Sequence, residues 1–150
     1  MARYTVAFSK TTGAAAGPIL DIRPATAKDA RVWELGIFAE TAVAGTVGLV
    51  RSTNAGTTPG GAVVPQAEDY SNTRACTVNC YTTYGTEPTQ ATVYLRRAVL
   101  AASIGSGIVW TFPEGIVVPT STDTATGNGL MLRQLSALAV TYSVYAVIEE

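Results

Sequence analysis

Few residues of this 150-residue chain could carry out chemistry. The chain has no histidine and only two cysteines. Because a serine or cysteine nucleophile usually needs a histidine base, Ser–His and Cys–His catalysis are excluded. We therefore predict that the protein is not an enzyme and needs no cofactor. Four acids near predicted strand ends are better explained as solvated turn residues than as paired catalytic carboxylates: Glu34, Asp69, Glu114 and Asp123.

The metal-ligating residues are also too few. Cys76 and Cys80 are four positions apart, which on a strand separates them by about 13 Å. That distance exceeds the roughly 7 Å between Cα atoms that a disulfide tolerates. We interpret both as small buried hydrophobes, with a metal or disulfide between chains as the alternative. Asp123 and Asn128 supply too few oxygen ligands for a calcium loop, so no metal is predicted.

The composition indicates a partly covered surface. Hydrophobic residues make up 47% of the chain and charged residues only 14%, against an average of about 25% charged. We therefore expect partner chains to cover part of the surface. The net charge of −1 predicts neither nucleic-acid nor membrane binding. The chain shows neither a secretory signal nor a transmembrane run, which predicts synthesis in the cytoplasm.

The stretch from Gly105 to Pro119, GSGIVWTFPEGIVVP, organises the predicted fold. Its β-branched and aromatic residues predict two strands joined by a tight corner at Pro-Glu-Gly. Segment 31–39 predicts a strand covered on both faces, with Trp33, Leu35 and Ile37 on one of them. We interpret Trp33 and Trp110 as core aromatics rather than as a sugar-stacking platform.

About eight strands with turns near every ten residues predict an all-β jelly roll or β-sandwich that forms a single domain over residues 1–150. Residues 1–18 are expected to form an N-terminal strand or arm, with a small-residue spacer over 11–18. Two turn regions are expected at 25–30 and 120–129. Segment 53–70 predicts a long loop, and such loops are usually functional.

The Arg96-Arg97 pair lies within a predicted strand, whose successive side chains point to opposite faces. One arginine is therefore expected in solvent. The other is expected to meet a carboxylate, with Glu34 and Glu114 as the candidates, or to extend along the surface.

The phrase GIVWTFPEGIVVP, together with the preceding YTTYGTEPTQATVYLRRAVLAASIGSG, resembles small virion proteins of tailed bacteriophages. GNGLML at 127–132, the acidic pair Glu149-Glu150 and the earlier VWELGIFAETAVAGTVGLVRSTNAGT fit the same pattern. Tyr84 departs from it, because tryptophan is common there. The resemblance implies a jelly-roll module that assembles, commonly as a homotrimer, on a virus particle.

The favoured function is capsid decoration, in which the protein binds the major capsid protein of the same virion. A tail-fibre or receptor-binding tip, a shell-forming coat protein and a small carbohydrate-binding module are the alternatives. The N-terminal segment 2–18 and the loop 53–70 are the predicted contact elements. Their candidate contact residues, with capsid or with other copies, are Arg3, Tyr4, Thr11, Thr12, Pro18, Thr57, Pro59, Val63, Val64 and Pro65.

Overall fold

The chain is built from antiparallel β-strands. The computed structural model describes residues 1–24, 28–120 and 129–150. The described strands are β1 (Arg3–Thr11), β2 (Gly17–Pro24), β3 (Ala30–Ala39), β4 (Gly45–Ser52), β5 (Thr57–Gly60), β6 (Gln66–Ala67), β7 (Val78–Tyr81), β8 (Thr83–Thr86), β9 (Gln90–Leu100), β10 (Gly107–Val118), β11 (Gly129–Gln134) and β12 (Thr141–Glu149).

Two five-stranded sheets pack into a sandwich. The first sheet has the order β10-β3-β12-β1-β6 and the second has the order β7-β2-β11-β4-β9. The eight longer strands alternate between the two sheets along the chain, with one exception: β4 and β9, which follow each other once the short strands β5–β8 are set aside, pair within the second sheet. This is the strand order of a jelly roll made of two Greek keys. The predicted all-β sandwich is confirmed.

The N-terminal segment forms an inner strand. β1 pairs with β12 over its whole length, from Arg3 opposite Glu149 to Thr11 opposite Thr141. On its other side, Tyr4 and Thr5 pair with β6. β1 is therefore an integral part of the first sheet and does not project from it as an arm.

The stretch around Pro113 is one strand, and the predicted two-strand hairpin is wrong. β10 pairs with β3 both before and after the Pro-Glu-Gly corner, so the chain direction does not reverse. The pairing jumps from Thr111 opposite Glu34 to Ile116 opposite Val32, which marks a large bulge. Gly115 takes a φ of +65° there. Pro113 is tolerated because β10 is an edge strand, where a missing amide donor breaks no ladder.

Trp33 does not share a face with Leu35 and Ile37, contrary to the prediction. The pairing of β12 with β3 skips Trp33, since Val147 faces Glu34 and Ile148 faces Val32. This irregularity shifts the alternation by one residue. Val32, Leu35 and Ile37 therefore lie in the core, and Trp33 is only half-buried.

The excursion between β4 and β9 covers one side of the sandwich. It runs from residue 53 to 89, longer than the predicted loop 53–70, and contains β5 to β8. β6 adds to the edge of the first sheet next to β1, and β7 adds to the edge of the second sheet next to β2. β5 and β8 form a separate two-stranded ribbon. One insertion therefore protects two sheet edges from unwanted pairing.

The core lies between the two sheets. Its side chains come from all eight long strands, and the largest fully buried ones include Tyr4, Ile19, Leu20, Ile22, Leu35, Ile37, Leu49, Leu130, Leu132, Tyr142 and Ile148. Half of the predicted turn at 25–30 and most of the polar loop at 120–129 fall outside the described residues, as do Asp123 and Asn128.

Candidate interaction surfaces

The ten predicted contact residues divide into two groups. The structure places five in exposed positions and one half-buried: Arg3, Thr11, Thr57, Pro59 and Val64, and then Val63. The other four are buried within the chain itself: Tyr4, Thr12, Pro18 and Pro65. Only the first group presents side chains that a partner can reach.

Two of the buried candidates hold the fold together. The Tyr4 hydroxyl donates to the Arg74 carbonyl oxygen at 3.2 Å, and this attaches the excursion to β1. The Thr12 hydroxyl lies within hydrogen-bond distance of the Gln134 side-chain oxygen and of the Val140 carbonyl oxygen, the latter at 2.9 Å. Both side chains are therefore committed to contacts inside the protein.

The spacer of the first predicted contact element lies next to the excursion, although no residue of the loop 53–70 lines the cleft between them. A cleft of about 240 Å³ is lined by Lys10, by spacer residues between 12 and 18, and by residues 82–84 and Glu87 around β8. β8 in turn pairs with β5, where Thr57 faces Thr86 and Pro59 faces Tyr84. We call this region, made of segment 11–16 and the β5–β8 ribbon, the ribbon surface.

Lys10 ties the parts of the ribbon surface together. Its ammonium group donates to the Pro18 carbonyl oxygen at 3.1 Å and also to the Thr82 carbonyl oxygen. Burial lowers the pKa of Lys10, and the nearby charge of Glu87 offsets part of that shift. Glu87 also forms a 2.7 Å ion pair with Arg133. These contacts fix the spacer and β8 against the sandwich.

A buried polar cluster attaches the ribbon to the second sheet. Asp21 on β2 is fully buried and accepts a 2.6 Å hydrogen bond from Arg23 Nε. The Tyr84 hydroxyl on β8 donates to the same carboxylate oxygen. Arg23 Nη2 also donates to Ser52 Oγ at 2.9 Å and to the Asn54 carbonyl oxygen at 3.0 Å. This cluster was not predicted from the sequence, although an acid inside the apolar run ILDI is an unusual signal.

The charges of this cluster depend on one another. Burial raises the pKa of Asp21, and the contacts with Arg23 and Tyr84 offset only part of that shift. Burial by itself lowers the pKa of Arg23, but the charges and hydrogen bonds of Asp21 and Tyr84 outweigh it and leave the pKa raised. Arg23 thus stays cationic and compensates a carboxylate that has left water.

Trp33 lies on the outer face of the first sheet between two arginines. The guanidinium carbons of Arg3 and Arg31 lie 5.2 Å and 5.8 Å from the centroid of its ring. The indole N–H donates to Glu149 Oε2 at 2.6 Å. The cations occupy the positions that a stacked sugar would need. The prediction that Trp33 is a core aromatic is wrong, whereas Trp110 is buried in the core.

The two cysteines are free thiols. Cys80 belongs to the core, and half-buried Cys76 packs against it. Burial raises the pKa of both thiols, more strongly for Cys80. A raised pKa suppresses the reactive thiolate, in keeping with the interpretation of both residues as small hydrophobes.

The side of the sandwich opposite the excursion has two open edges. Among the described strands, β9 pairs only with β4 and β10 only with β3, so each leaves one edge unpaired. We call β9, β10 and their connection 101–106 the free-edge surface. Six of the ten exposed large hydrophobic side chains of the described chain lie on it: Val93, Leu95, Val99, Ile104, Val109 and Val117.

The arginine pair on β9 does not reach either predicted carboxylate. The guanidinium of Arg96 lies 5.7 Å from the centroid of the Phe112 ring, and Arg96 Nη1 donates to the Leu95 carbonyl oxygen at 2.8 Å. Arg97 is exposed and makes no side-chain hydrogen bond or ion pair with the described residues. Glu34 instead accepts a 2.6 Å hydrogen bond from the Tyr145 hydroxyl. Arg96 thus covers an aromatic ring, the outcome expected for an extended arginine.

Residues 1–24, 28–120 and 129–150 contain no group of three or more metal-ligating side chains close enough to hold an ion. Within the same ranges, no helix is long and apolar enough to cross a membrane.

The fold defines this protein as an all-β jelly-roll sandwich with a covered side and a free-edge side. Comparison with models of protein families, with characterised proteins and with solved structures finds no match to the chain.

Proposed function

We propose that this chain is a structural protein of a bacteriophage virion that decorates the capsid by binding across neighbouring subunits of the major capsid protein. The resemblance of its sequence to small phage virion proteins supports this proposal. So does the jelly-roll architecture, which viral capsid domains share with lectins. A shared fold alone does not define function, so the proposal depends on the surfaces.

The observation that carries the proposal is the ribbon surface. Lys10 and the spacer, both from the predicted contact segment 2–18, line one cleft with Tyr84 and Glu87, and β8 pairs with β5 of the predicted contact loop 53–70. Thr57, Pro59 and the spacer residues 13–15 are exposed beside it. Small, weakly charged side chains can be buried against a partner with little desolvation cost. Repeated by the symmetry of a shell, such a modest contact gains avidity.

The test is binding to empty capsids of the phage that encodes the chain, measured by co-sedimentation. Deleting residues 2–17 would remove β1 and unfold the sandwich, so point substitutions are needed. We expect Thr57→Glu and Thr86→Glu, at exposed positions of the ribbon, each to weaken binding about tenfold, because each places an unpaired carboxylate in the contact. Thr73→Glu, at an exposed position of the same excursion but outside the loop 53–70 and the ribbon surface, is the matched control.

Counting copies in purified virions separates capsid decoration from the alternatives. Hundreds of copies on the head support the proposal. A few copies at the tail tip would identify a receptor-binding component instead. Binding to a glycan array without binding to capsids would favour a carbohydrate-binding module.

A further inference from the structure

We infer that the free-edge surface is the contact through which copies of this chain assemble, with β9 of one copy lying antiparallel to β10 of the next around a symmetry axis parallel to the strands. This inference deepens the proposed function by assigning self-association to one surface and leaving the ribbon surface for the capsid. The unpaired edges, the exposed apolar side chains and the distribution of charge support this assignment.

The unpaired edges need a partner. β9 has eleven residues and β10 has twelve, and each presents a row of backbone N–H and C=O groups without a strand on one side. Long exposed edges of this kind pair readily with other chains unless they are covered. The chain protects its opposite side with β6 and β7. It adds no strand beside β9 or β10 in the described residues. Pro113 and the bulge interrupt the far part of the β10 edge, so the part of that edge that can pair is 107–111.

The exposed apolar side chains add to this need. Val93, Val99 and Ile104 are 74%, 76% and 73% exposed. Valines on adjacent edge strands favour cross-strand packing, since β-branched side chains fit a pleated surface. Val99 lies one residue from the end of β9, and Val109 lies two residues from the start of β10. The two valines therefore lie close to the same end of the sandwich.

The charges select which edges meet. β9 carries Arg96 and Arg97 and no acid, whereas β10 carries Glu114 and no base. Contact between two β9 strands would bring arginines together, whereas contact between β9 and β10 brings opposite charges together. This complementarity identifies the occupant of the surface as a second copy of the chain.

Arg97 and Glu114 lie at similar heights along the strand direction. Arg97 faces Gly48, three positions from the last pair of β9, Leu100 with Gly45. Glu114 lies in the bulge of β10, between the pairs at Glu34 and Val32. Counted along β3, this position of Glu114 is about five residues from the first pair of β10, Gly107 with Phe38. The two levels differ by about two residues, or roughly 7 Å, which long side chains span.

The same contact closes a ring. In an aligned sandwich the two sheets keep nearly the same strand axis, and the chain reverses direction between β9 and β10. Rotation about an axis parallel to the strands preserves strand direction. β9 of one copy therefore meets β10 of the next in antiparallel orientation, with two or three copies around the axis.

The test is the oligomeric state of the purified chain, measured by light scattering and analytical ultracentrifugation without capsids. We expect one closed oligomer. Val99→Glu should raise its dissociation concentration at least about tenfold, because a carboxylate enters an apolar contact. Leu138→Glu, at an exposed position outside this surface, is the matched control and should leave the oligomer unchanged.

A charge swap tests the partner edges even if Val99→Glu fails to fold. Arg97→Glu and Glu114→Arg should each weaken assembly about tenfold, since each places like charges across the contact. The double variant should restore it. A monomeric wild-type chain, an oligomer insensitive to these substitutions, or open-ended polymers would overturn the inference. A monomer that still binds capsids would overturn it while leaving the proposed function in place.

Discussion

Replacing Arg23 with methionine tests the role of the buried cluster under the ribbon. The variant keeps most of the side-chain volume but leaves the fully buried Asp21 carboxylate without its cation. Removing one partner of a buried ion pair costs about 3–5 kcal/mol. In a chain of this size each kcal/mol lowers the melting temperature by about 2–4 °C. We therefore expect Arg23→Met to lower the melting temperature at neutral pH by roughly 10 °C.

The same variant should respond to pH. Burial raises the pKa of Asp21 above its ordinary value. The Asp21 carboxyl group therefore binds its proton more tightly in the folded chain than in the unfolded chain. The contribution of protonated Asp21 to the free energy of unfolding is fully present below the pKa that Asp21 has in the unfolded chain. It is lost as pH rises through the pKa that Asp21 has in the folded chain. Without Arg23 the folded pKa rises further. The cost of Arg23→Met should therefore be larger near about pH 8 than near about pH 4.

Urea denaturation of the wild type and of Arg23→Met at both pH values measures this difference. The double variant Asp21→Ala/Arg23→Met is the control, because it removes the buried charge as well. It should be more stable at the higher pH than Arg23→Met alone by about 1–3 kcal/mol. A cost below about 1 kcal/mol, or an equal cost at both pH values, would refute the assigned role of the ion pair.

Two further predictions concern single contacts. In Gly107→Ala the new Cβ would lie 2.5 Å from the Ile37 carbonyl oxygen and against the Phe38 ring, so we expect a loss of about 1–3 kcal/mol in a denaturation experiment. Gly105→Ala, with open space around the Cβ but a φ of +83°, should cost only about 1 kcal/mol, and equal losses would contradict the clash. The hydrogen bond to Glu34 and burial raise the pKa of Tyr145 to about 12. The stability linked to its neutral phenol should thus be lost as pH rises from about 10 to 12, and Tyr145→Phe should remove one late step from the phenolate absorbance titration.

The sequence was sufficient to predict the sandwich because its strands show strong apolar patterns. Strands such as β12 alternate cleanly between buried and less buried residues, which indicates one face against a core. The same rule failed at Trp33 and Pro113. A bulge shifts which residues of a strand face the core, and it lets a strand continue through a corner. Whether a bulge forms depends on the partner strand, so the local sequence does not reveal it.

The surfaces were less predictable than the fold. The loop 53–70 was found from its composition, but its pairing with the edge of the first sheet was not, because β6 is only two residues long and shows no pattern. The local sequence predicts only that Val93 and Val99 lie in a strand. Their exposure follows from the strand order, which puts β9 at the edge of the second sheet. Whether a β-branched residue is buried or exposed is decided by which strand lies beside it, and that information is nonlocal.

The pairing of the first long strand with the last has a kinetic consequence. β1 and β3 both lie against β12, so neither has its full set of neighbours until the final strand has been synthesised. Folds dominated by such distant pairings form slowly, and their incomplete states expose strands that can aggregate. We expect the chain to remain unfolded on the ribosome until β12 has emerged, and then to fold in a single late step.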